Sequence, residues 1–349
     1  MTLNDADRRY LGGIQDATRE VLRTAIGDAT AVAIVDAPNQ RNVGDALIWL
    51  GELEYLQSLG LKIEYVADLW SYDARALRKA MPKGVILLHG GGNFGDLWIG
   101  HQILREIVAT DFPDYKIVQL PQSIHFQDAQ RAKLADDVLG RHPDLTVLVR
   151  ESQSLGRAQQ SLPNVAVEFC YDMALGWAPS QIPDRDEHGL LAIARADVEA
   201  SSSLDSVDED WIVGQHLTVT DWGPRGMSSV AWHGARSLTR VHRFYARARR
   251  KLPYLPVHLP DKFGTWALAR TNSANVSGAV DLYSHARVVV TDRLHAHVLA
   301  ALLGKPHVVL DNSYGKVSGI FQEYTGRFST ARYAADLDTA RGLAASLVA

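Results

Sequence analysis

The sequence predicts an α/β protein built of two doubly wound, Rossmann-like domains that face a common cleft. Short apolar segments alternate with amphipathic helical segments along both halves, which is typical of parallel sheets covered by helices on both faces. The chain has 349 residues, more than one hydrophobic core usually covers. A polar stretch at 178–189 contains two prolines and no periodicity, and it is the best candidate for a linker. A ligand is then expected in the cleft between the domains.

The first half carries six apolar segments of strand length. It opens with an amphipathic helix, because Leu11, Ile14 and Leu22 recur at helical spacing. Strands are predicted at 31–35, 62–66, 85–88, 116–120, 146–149 and 165–169. Helices are predicted between them at 45–58, 72–80, 97–109, 127–139 and 152–160. This alternation predicts a parallel sheet in an N-terminal domain of residues 1–180.

The second half repeats the alternation. Strands are predicted at 191–194, 255–259, 288–290 and 307–310, and helices at 228–251, 294–303 and 334–348. We predict a C-terminal domain over 187–330. Residues 331–349 are interpreted as a C-terminal helix that could pack back on the first domain.

Composition excludes several classes of protein. The net charge of −4 argues against a nucleic-acid binder, so an anionic ligand would have to be bound by a local cluster of cations. The single cysteine, Cys170, excludes an internal disulfide framework and a cysteine-ligated zinc site. No apolar run approaches the ~18 residues of a membrane span, and the N-terminus has no apolar leader. A cytoplasmic enzyme is the resulting expectation.

The most informative segment is 288–316. Arg293 and His295 lie where a buried strand ends and a helix begins, at the edge of the sheet where α/β proteins bind ligands. The helix N-terminus adds unpaired N–H groups, and an imidazole titrates near neutral pH. We predict that both residues act on an anion that exchanges a proton, with His295 as acid or base. His297 is interpreted as a packing residue, because on a helix it points away from His295 and a shared zinc ion is unfavourable.

Two further strand ends carry candidate binding residues. Asn42 and Asp45 precede a helix and contact a ligand, or else only cap that helix. Gly91, Gly92 and Asn93 belong to the run H-G-G-G-N after a buried strand, where glycines expose backbone N–H groups. The alternative is a tight turn. The esterase interpretation lacks a G-x-S-x-G elbow, and no P-loop or dinucleotide motif is present.

Arg150 ends another predicted strand, where a planar guanidinium can bind phosphate or carboxylate through two parallel hydrogen bonds. The alternative is an ion pair with Glu151 or another carboxylate. The loop 311–316 supplies Asn312 and Lys316 as further substrate-binding candidates, and the alternative for Lys316 is a solvated surface lysine.

Arginines recur at helical spacing within 236–247. Such a face is usually solvated, and the alternative is peripheral contact with anionic lipid head groups.

Taken together, the motifs resemble those of the polysaccharide pyruvyl transferase family. The resemblance rests on N-V-G-D at 42–45, H-G-G-G-N at 89–93, L-P-Q-S at 120–123, V-R-E-x-x-S at 149–154, Y-D-M-A at 171–174, T-D-R-L-H at 291–295, G-K-P at 304–306 and D-N-S-Y-G-K at 311–316. Residues 197–235 carry no motif of the family. The resemblance implies a fold similar to GT-B glycosyltransferases. It also implies transfer of a pyruvyl group from phosphoenolpyruvate to two hydroxyls of a sugar, giving a cyclic ketal.

The residues suit that reaction. Arg150, Arg293 and Lys316 supply cations for the phosphate and carboxylate of phosphoenolpyruvate, and His295 supplies or removes a proton. The expected partners are phosphoenolpyruvate, on the C-terminal domain, and a sugar or lipid-linked oligosaccharide acceptor, on the N-terminal domain. The scheme needs no metal and no cofactor. The alternatives are a GT-B glycosyltransferase using a nucleotide sugar and a saccharide-binding protein without activity.

Overall fold

The computed structural model describes residues 3–179, 182–183, 185–195, 202–208, 210–252, 259, 262–311 and 315–348. The predicted strand at 255–259 therefore falls almost wholly outside the described residues, as does Asn312. Among the described helices, none has the length together with the hydropathy needed to cross a bilayer.

The first half forms a parallel sheet with helices on both faces. Its strands are β1 (Ala31–Val35), β2 (Lys62–Ala67), β3 (Val85–Leu88), β4 (Gly91–Gly95), β5 (Lys116–His125), β6 (Leu145–Val149) and β7 (Ala166–Phe169). Its helices are α1 (Asp5–Ile26), α2 (Val43–Ser58), α3 (Ala74–Ala80), α4 (Ile99–Asp111), α5 (Ala129–Leu139) and α6 (Ser152–Ser161). The strand order is β2-β1-β3-β5-β6-β7, with β4 paired to β5. The order reverses between β1 and β3, which places a crevice at their carboxyl ends.

The second half forms a five-stranded parallel sheet. Its elements are β8 (Leu190–Ile193), β9 (Leu217–Thr220), α7 (Gly226–Lys251), α8 (Phe263–Ser284), β10 (Val288–Thr291), α9 (Leu294–Leu302), β11 (His307–Leu310), α10 (Lys316–Glu323), β12 (Ala331–Ala334) and α11 (Leu337–Val348). The strand order is β12-β11-β10-β8-β9, so the reversal lies between β8 and β10. The molecule is thus α/β with two parallel sheets, consistent with the predicted two-domain Rossmann-like class.

Helices α7 and α8 join the two halves. Buried Asn272 of α8 donates to the backbone oxygen of Pro38 at 3.0 Å. From α7, the Arg243 Nε atom lies 2.7 Å from Asp68 Oδ2. Side chains of α2, α8 and α9 share one buried apolar cluster. These contacts hold the crevice of the first sheet against that of the second.

The H-G-G-G-N run, for which a tight turn was the alternative, includes the start of β4 (Gly91–Gly95), which pairs in parallel with β5. Two expectations need correction. Residues 331–349 are not a single helix, because Ala331–Ala334 pairs with β11 as an edge strand. The helix that follows packs on its own sheet and not back on the first domain: Ala340 and Ala344 are buried in the cluster formed by β8, β10 and β11.

Helix α8 was not predicted. It buries polar Asn272 and Asn275 together with small residues, and these asparagines bind backbone oxygens of the first half. Its sequence therefore lacks the division into apolar and polar faces that identifies a surface helix.

Candidate active site

A cavity of about 350 Å³ lies where the two crevices meet. It is lined by Gln40, Arg41, Asn42, Gly44, Asp45, Gly92, Asn93, Trp98, His101, Arg150, Arg195, Trp222, Arg293, Leu294 and His295. These residues follow strand ends of both sheets, as the topology requires.

His295, in the first turn of α9, contacts an ion pair of the first half. Its Nε2 atom lies 3.2 Å from Asp172 Oδ2 and 3.3 Å from Arg150 Nη1. Arg150 Nη1 donates to the same Asp172 oxygen at 2.7 Å, and Arg150 Nε donates to Ser123 Oγ at 3.0 Å. The Nε2 atom of His295 thus has both an acceptor and a donor beside it. The ring can be held in place whether or not this nitrogen carries a proton.

Neighbouring charges stabilise the ionised forms of Asp172 and Arg150. Burial raises the pKa of Asp172, but Arg150 and His295 outweigh burial and hold that pKa well below its usual range. Burial lowers the pKa of Arg150, whereas the neighbouring carboxylates of Asp172 and Glu151 raise it above the ordinary value. Asp172 is therefore a permanent anion behind His295, suited to stabilising an imidazolium.

The start of α2 forms the floor beside His295. Asn42 caps the helix by accepting from the backbone N–H of Gly44 at 2.9 Å, and its Nδ2 atom donates to Asp45 Oδ2 at 2.8 Å. Gly44 lies directly under the imidazole: a Cβ atom there would be 2.8 Å from His295 Nδ1. Asn42 therefore caps helix α2 and also lines the cavity, and its partner Asp45 lines the cavity beside it.

Arg293 and Arg195 carry positive charge on the second sheet. Arg293 Nη2 lies 3.1 Å from Asp221 Oδ1, and its side chain is 14% exposed. The backbone N–H of Arg195 donates to Asp292 Oδ1 at 3.0 Å, which ties the end of β8 to the start of α9. Burial raises the pKa of Asp292.

A second imidazole–carboxylate pair faces the cavity from the first half, and sequence reasoning missed it. His101 Nδ1 lies 2.7 Å from Asp36 Oδ1, and Asn93 Nδ2 donates to Asp36 Oδ2 at 3.2 Å. Asn93 in turn accepts from buried Arg105 at 2.9 Å. Asp36 could have been found from the sequence, because it directly follows β1. His101 could not, because it lies on a helix with no motif around it.

The structure brings His295, Arg293, Arg150, Asn42, Asp45, Gly92 and Asn93 to one cavity. Gly91 is buried behind it: a Cβ atom there would lie 3.6 Å from Ile48 Cδ1. Asn312 and the side chain of Lys316 lie outside the described atoms.

His297, the second histidine of α9, has partners of its own. His297 is buried with its ring nitrogens 2.7 Å from His307 Nε2 and from Thr325 Oγ1, as expected of a packing residue. In the described part of the chain, His, Cys, Asp and Glu side chains form no group of three or more that could hold a metal ion.

Comparison with known proteins assigns the chain to a family. The family described as polysaccharide pyruvyl transferase matches residues 42–314. The chain is 29% identical to Pyruvyl transferase 1 of Schizosaccharomyces pombe over 304 residues, covering 82% of this chain and 68% of that protein. It is 28% identical to EpsO of Bacillus subtilis over 305 residues, covering 87% and 88%. A crystal structure of an uncharacterized Klebsiella pneumoniae protein shares the fold, with a TM-score of 0.55 at 16% identity, over 92% of this chain and 98% of that one. The chain thus belongs to the polysaccharide pyruvyl transferase family.

Proposed function

We propose that this transferase moves the pyruvyl group of phosphoenolpyruvate onto two hydroxyls of a sugar, forming a cyclic ketal and releasing phosphate. The observation that carries the proposal is the convergence, in one cavity, of the Arg195 and Arg293 side chains with an imidazole, His295, backed by a buried carboxylate. Cations bind the two acidic groups of phosphoenolpyruvate, and the imidazole exchanges the proton that the chemistry requires.

The reaction begins with protonation of C3, which makes C2 electrophilic. The first sugar oxygen then bonds to C2, giving a tetrahedral phosphate ester with a new methyl group. The C2–O bond to phosphate breaks, and the second sugar oxygen bonds to C2 and closes the ketal. The two hydroxyls lose two protons, one balancing the proton gained by C3 and the other that gained by the departing phosphate.

Arg150 has a positioning role in this scheme, in addition to lining the cavity. Its guanidinium is almost fully buried and is paired with Asp172 and Ser123. It holds Asp172 against His295, so the anion is bound mainly by Arg293 and Arg195, which reach the cavity from the second sheet. Asn312 and Lys316 are proposed as further contacts to the substrate.

We assign the architecture as GT-B-like, with an acceptor domain of residues 1–180 and a phosphoenolpyruvate domain of residues 187–330. Two observations support this. Both sheets reverse their strand order at crevices that meet at the cavity, and the cationic side chains Arg195 and Arg293 follow strands of the second sheet. Asn42, Asp45 and His101 line the same cavity from the first half, which is the side proposed for the acceptor.

The direct test is to incubate the purified chain with phosphoenolpyruvate and a panel of galactosides, glucosides and mannosides. We expect inorganic phosphate to be released only when a suitable sugar is present, with a gain of one pyruvyl ketal in the product mass. Release of a nucleoside diphosphate from a nucleotide sugar would favour the glycosyltransferase alternative. Saccharide binding without any turnover would favour the binding protein.

The acceptor is proposed to be lipid-linked and reached at the cytoplasmic face of a membrane, through the exposed face of α7. Residues 226–252 contain no Asp or Glu. Phe244 and Val241 on this helix are 76% and 50% exposed, and exposed Arg247 and Lys251 lie beside exposed Trp70 at the end of the helix. Arg236 and Arg243 instead turn inward, to Asn39 and Asp68. Exposed aromatic and basic side chains on one helix face suit an anionic bilayer surface.

Sedimentation with phosphatidylglycerol vesicles tests this surface. We expect binding that weakens with added salt and is lost in Phe244→Ser, whereas the matched change Leu134→Ser, at a 51% exposed site on α5, has no effect. Equal sedimentation of both variants would contradict the assignment.

A further inference from the structure

Two imidazole–carboxylate pairs border the same cavity, one from each half of the molecule. His295 of α9 is paired with Asp172, and His101 of α4 is paired with Asp36. Both imidazoles line the cavity, while Asp172 and Asp36 are 1% and 5% exposed. The cavity therefore contains two imidazoles, each of which can exchange a proton with a bound substrate.

The His101 pair is built into the fold. Asp36 follows β1 with φ = 70°, a conformation that a non-glycine residue adopts at a cost. That backbone directs the carboxylate at His101 Nδ1, with the two oxygens at 2.7 and 2.9 Å. Asn93 donates to the same carboxylate, and buried Arg105 donates to Asn93. With Nδ1 engaged, the Nε2 atom is the nitrogen left to face a ligand.

The proposed reaction requires two proton transfers of opposite sense. C3 of phosphoenolpyruvate must receive a proton, and the attacking hydroxyl must lose one as its oxygen bonds to C2. An imidazole that is protonated to act as the donor to C3 cannot at that moment accept the hydroxyl proton, whereas a second, unprotonated imidazole in the same cavity can.

We propose that His101, supported by Asp36, is the general base that removes the proton from the attacking sugar hydroxyl, while His295 donates the proton to C3. This inference rests on the proposed function. The division follows the charges: His295 lies next to Arg293, on the half that binds the anion, and His101 lies on the acceptor half. When His101 takes the hydroxyl proton, the Asp36 carboxylate stabilises the imidazolium. His101 then passes this proton to the departing phosphate, and the proton lost by the second hydroxyl restores the protonated form of His295.

Several charged side chains around the cavity contribute to the pH dependence of the rate together with His101. They are Arg41 and Asp45 at the start of α2, Arg150 after β6, Arg195 after β8, and Arg293 and His295 at the start of α9. Of these groups, His295 is the other imidazole. Variants at both histidines are therefore needed.

The test measures phosphate release with saturating phosphoenolpyruvate and varied concentrations of the sugar across a pH series, for wild type, His101→Gln, Asp36→Asn and His295→Gln. His233→Gln, at an exposed site on α7, is the control. We expect His101→Gln to lower kcat/KM for the acceptor by roughly 10²–10⁴ and to remove the fall in rate on the acid side of the profile. Added imidazole should restore part of the rate in His101→Gly, and Asp36→Asn should give a smaller loss of the same kind.

The outcomes separate this inference from the proposed function. If wild type releases no phosphate with any sugar, the proposed function fails. The role of His101 is refuted if wild type is active but His101→Gln retains its rate within about threefold. It is also refuted if His101→Gln keeps the acid-side fall and His101→Gly gains nothing from imidazole. Circular dichroism confirms that each variant is folded. Should Asp36→Asn not fold, His101→Gln and the imidazole experiment still decide the question.

Discussion

Replacing Gly44 with alanine should displace His295 without weakening the fold. A Cβ atom at Gly44 would lie 2.8 Å from His295 Nδ1 and 3.2 Å from Asn42 Oδ1, whereas ordinary contact begins near 3.4 Å. The imidazole must therefore move by roughly half an ångström, and its 3.2 Å contact with Asp172 lengthens or turns out of line. A misplacement of about 1 Å at a reacting group can cost about 10²-fold in rate, so we expect kcat to fall by about 10- to 100-fold.

The same change should leave stability nearly unaltered, because alanine is favoured over glycine within a helix by about 1 kcal/mol, which offsets the local crowding. Gly13→Ala is the matched control: Gly13 lies in α1, and a Cβ atom there would meet nothing within 4 Å. Phosphate-release kinetics and urea unfolding are measured for both variants. Wild-type kcat in Gly44→Ala would refute the view that the approach of α2 positions His295.

Further predictions concern the buried charges and imidazoles. His295→Ala should lower turnover by roughly 10²–10⁴ with an unchanged circular dichroism spectrum, and near-normal turnover would remove this residue from the mechanism. Arg150→Lys should lower both kcat/KM for phosphoenolpyruvate and the free energy of unfolding. The reason is that a lysine ammonium cannot replace a planar guanidinium that is bonded to both Asp172 and Ser123. Unchanged kinetics and unfolding would contradict this. Arg150→Met leaves the Asp172 carboxylate uncompensated and should lower the free energy of unfolding by about 3–5 kcal/mol in urea titrations, and a loss below about 1 kcal/mol would count against the ion pair. Burial lowers the pKa of His307 to about 4, so its stabilising contribution is complete above pH about 6.5 and is lost as the pH falls towards 4. Urea titrations between pH 7 and 4 should show that loss, and His307→Gln should reduce its slope.

Much of the fold could be predicted from local patterns. The strand at Val85–Leu88 and the strand at His307–Leu310 were predicted with their observed bounds, because a short apolar run between turn residues is a strong local signal. Helix α8 could not be predicted, since it buries asparagines whose partners lie on the other half of the chain. Strand β4 was not predicted, because its glycines carry no strand propensity and its pairing with β5 depends on the sheet.

The sequence by itself determined the family, the alternation of strands and helices, and the presence of Arg150, Arg293 and His295 at strand ends, because these depend on neighbours along the chain. Only the tertiary structure decided what those side chains contact. His295 and Asp172 are 123 residues apart in sequence, and His101 and Asp36 are 65 apart. The first pair forms only when the two sheets pack with their crevices together, and the second forms only when α4 brings His101 to the residue that follows β1. No local periodicity encodes either distance. Arg150, which its place in the sequence suggested as a ligand for phosphate, is likewise buried in an ion pair with Asp172 that only the folded chain shows.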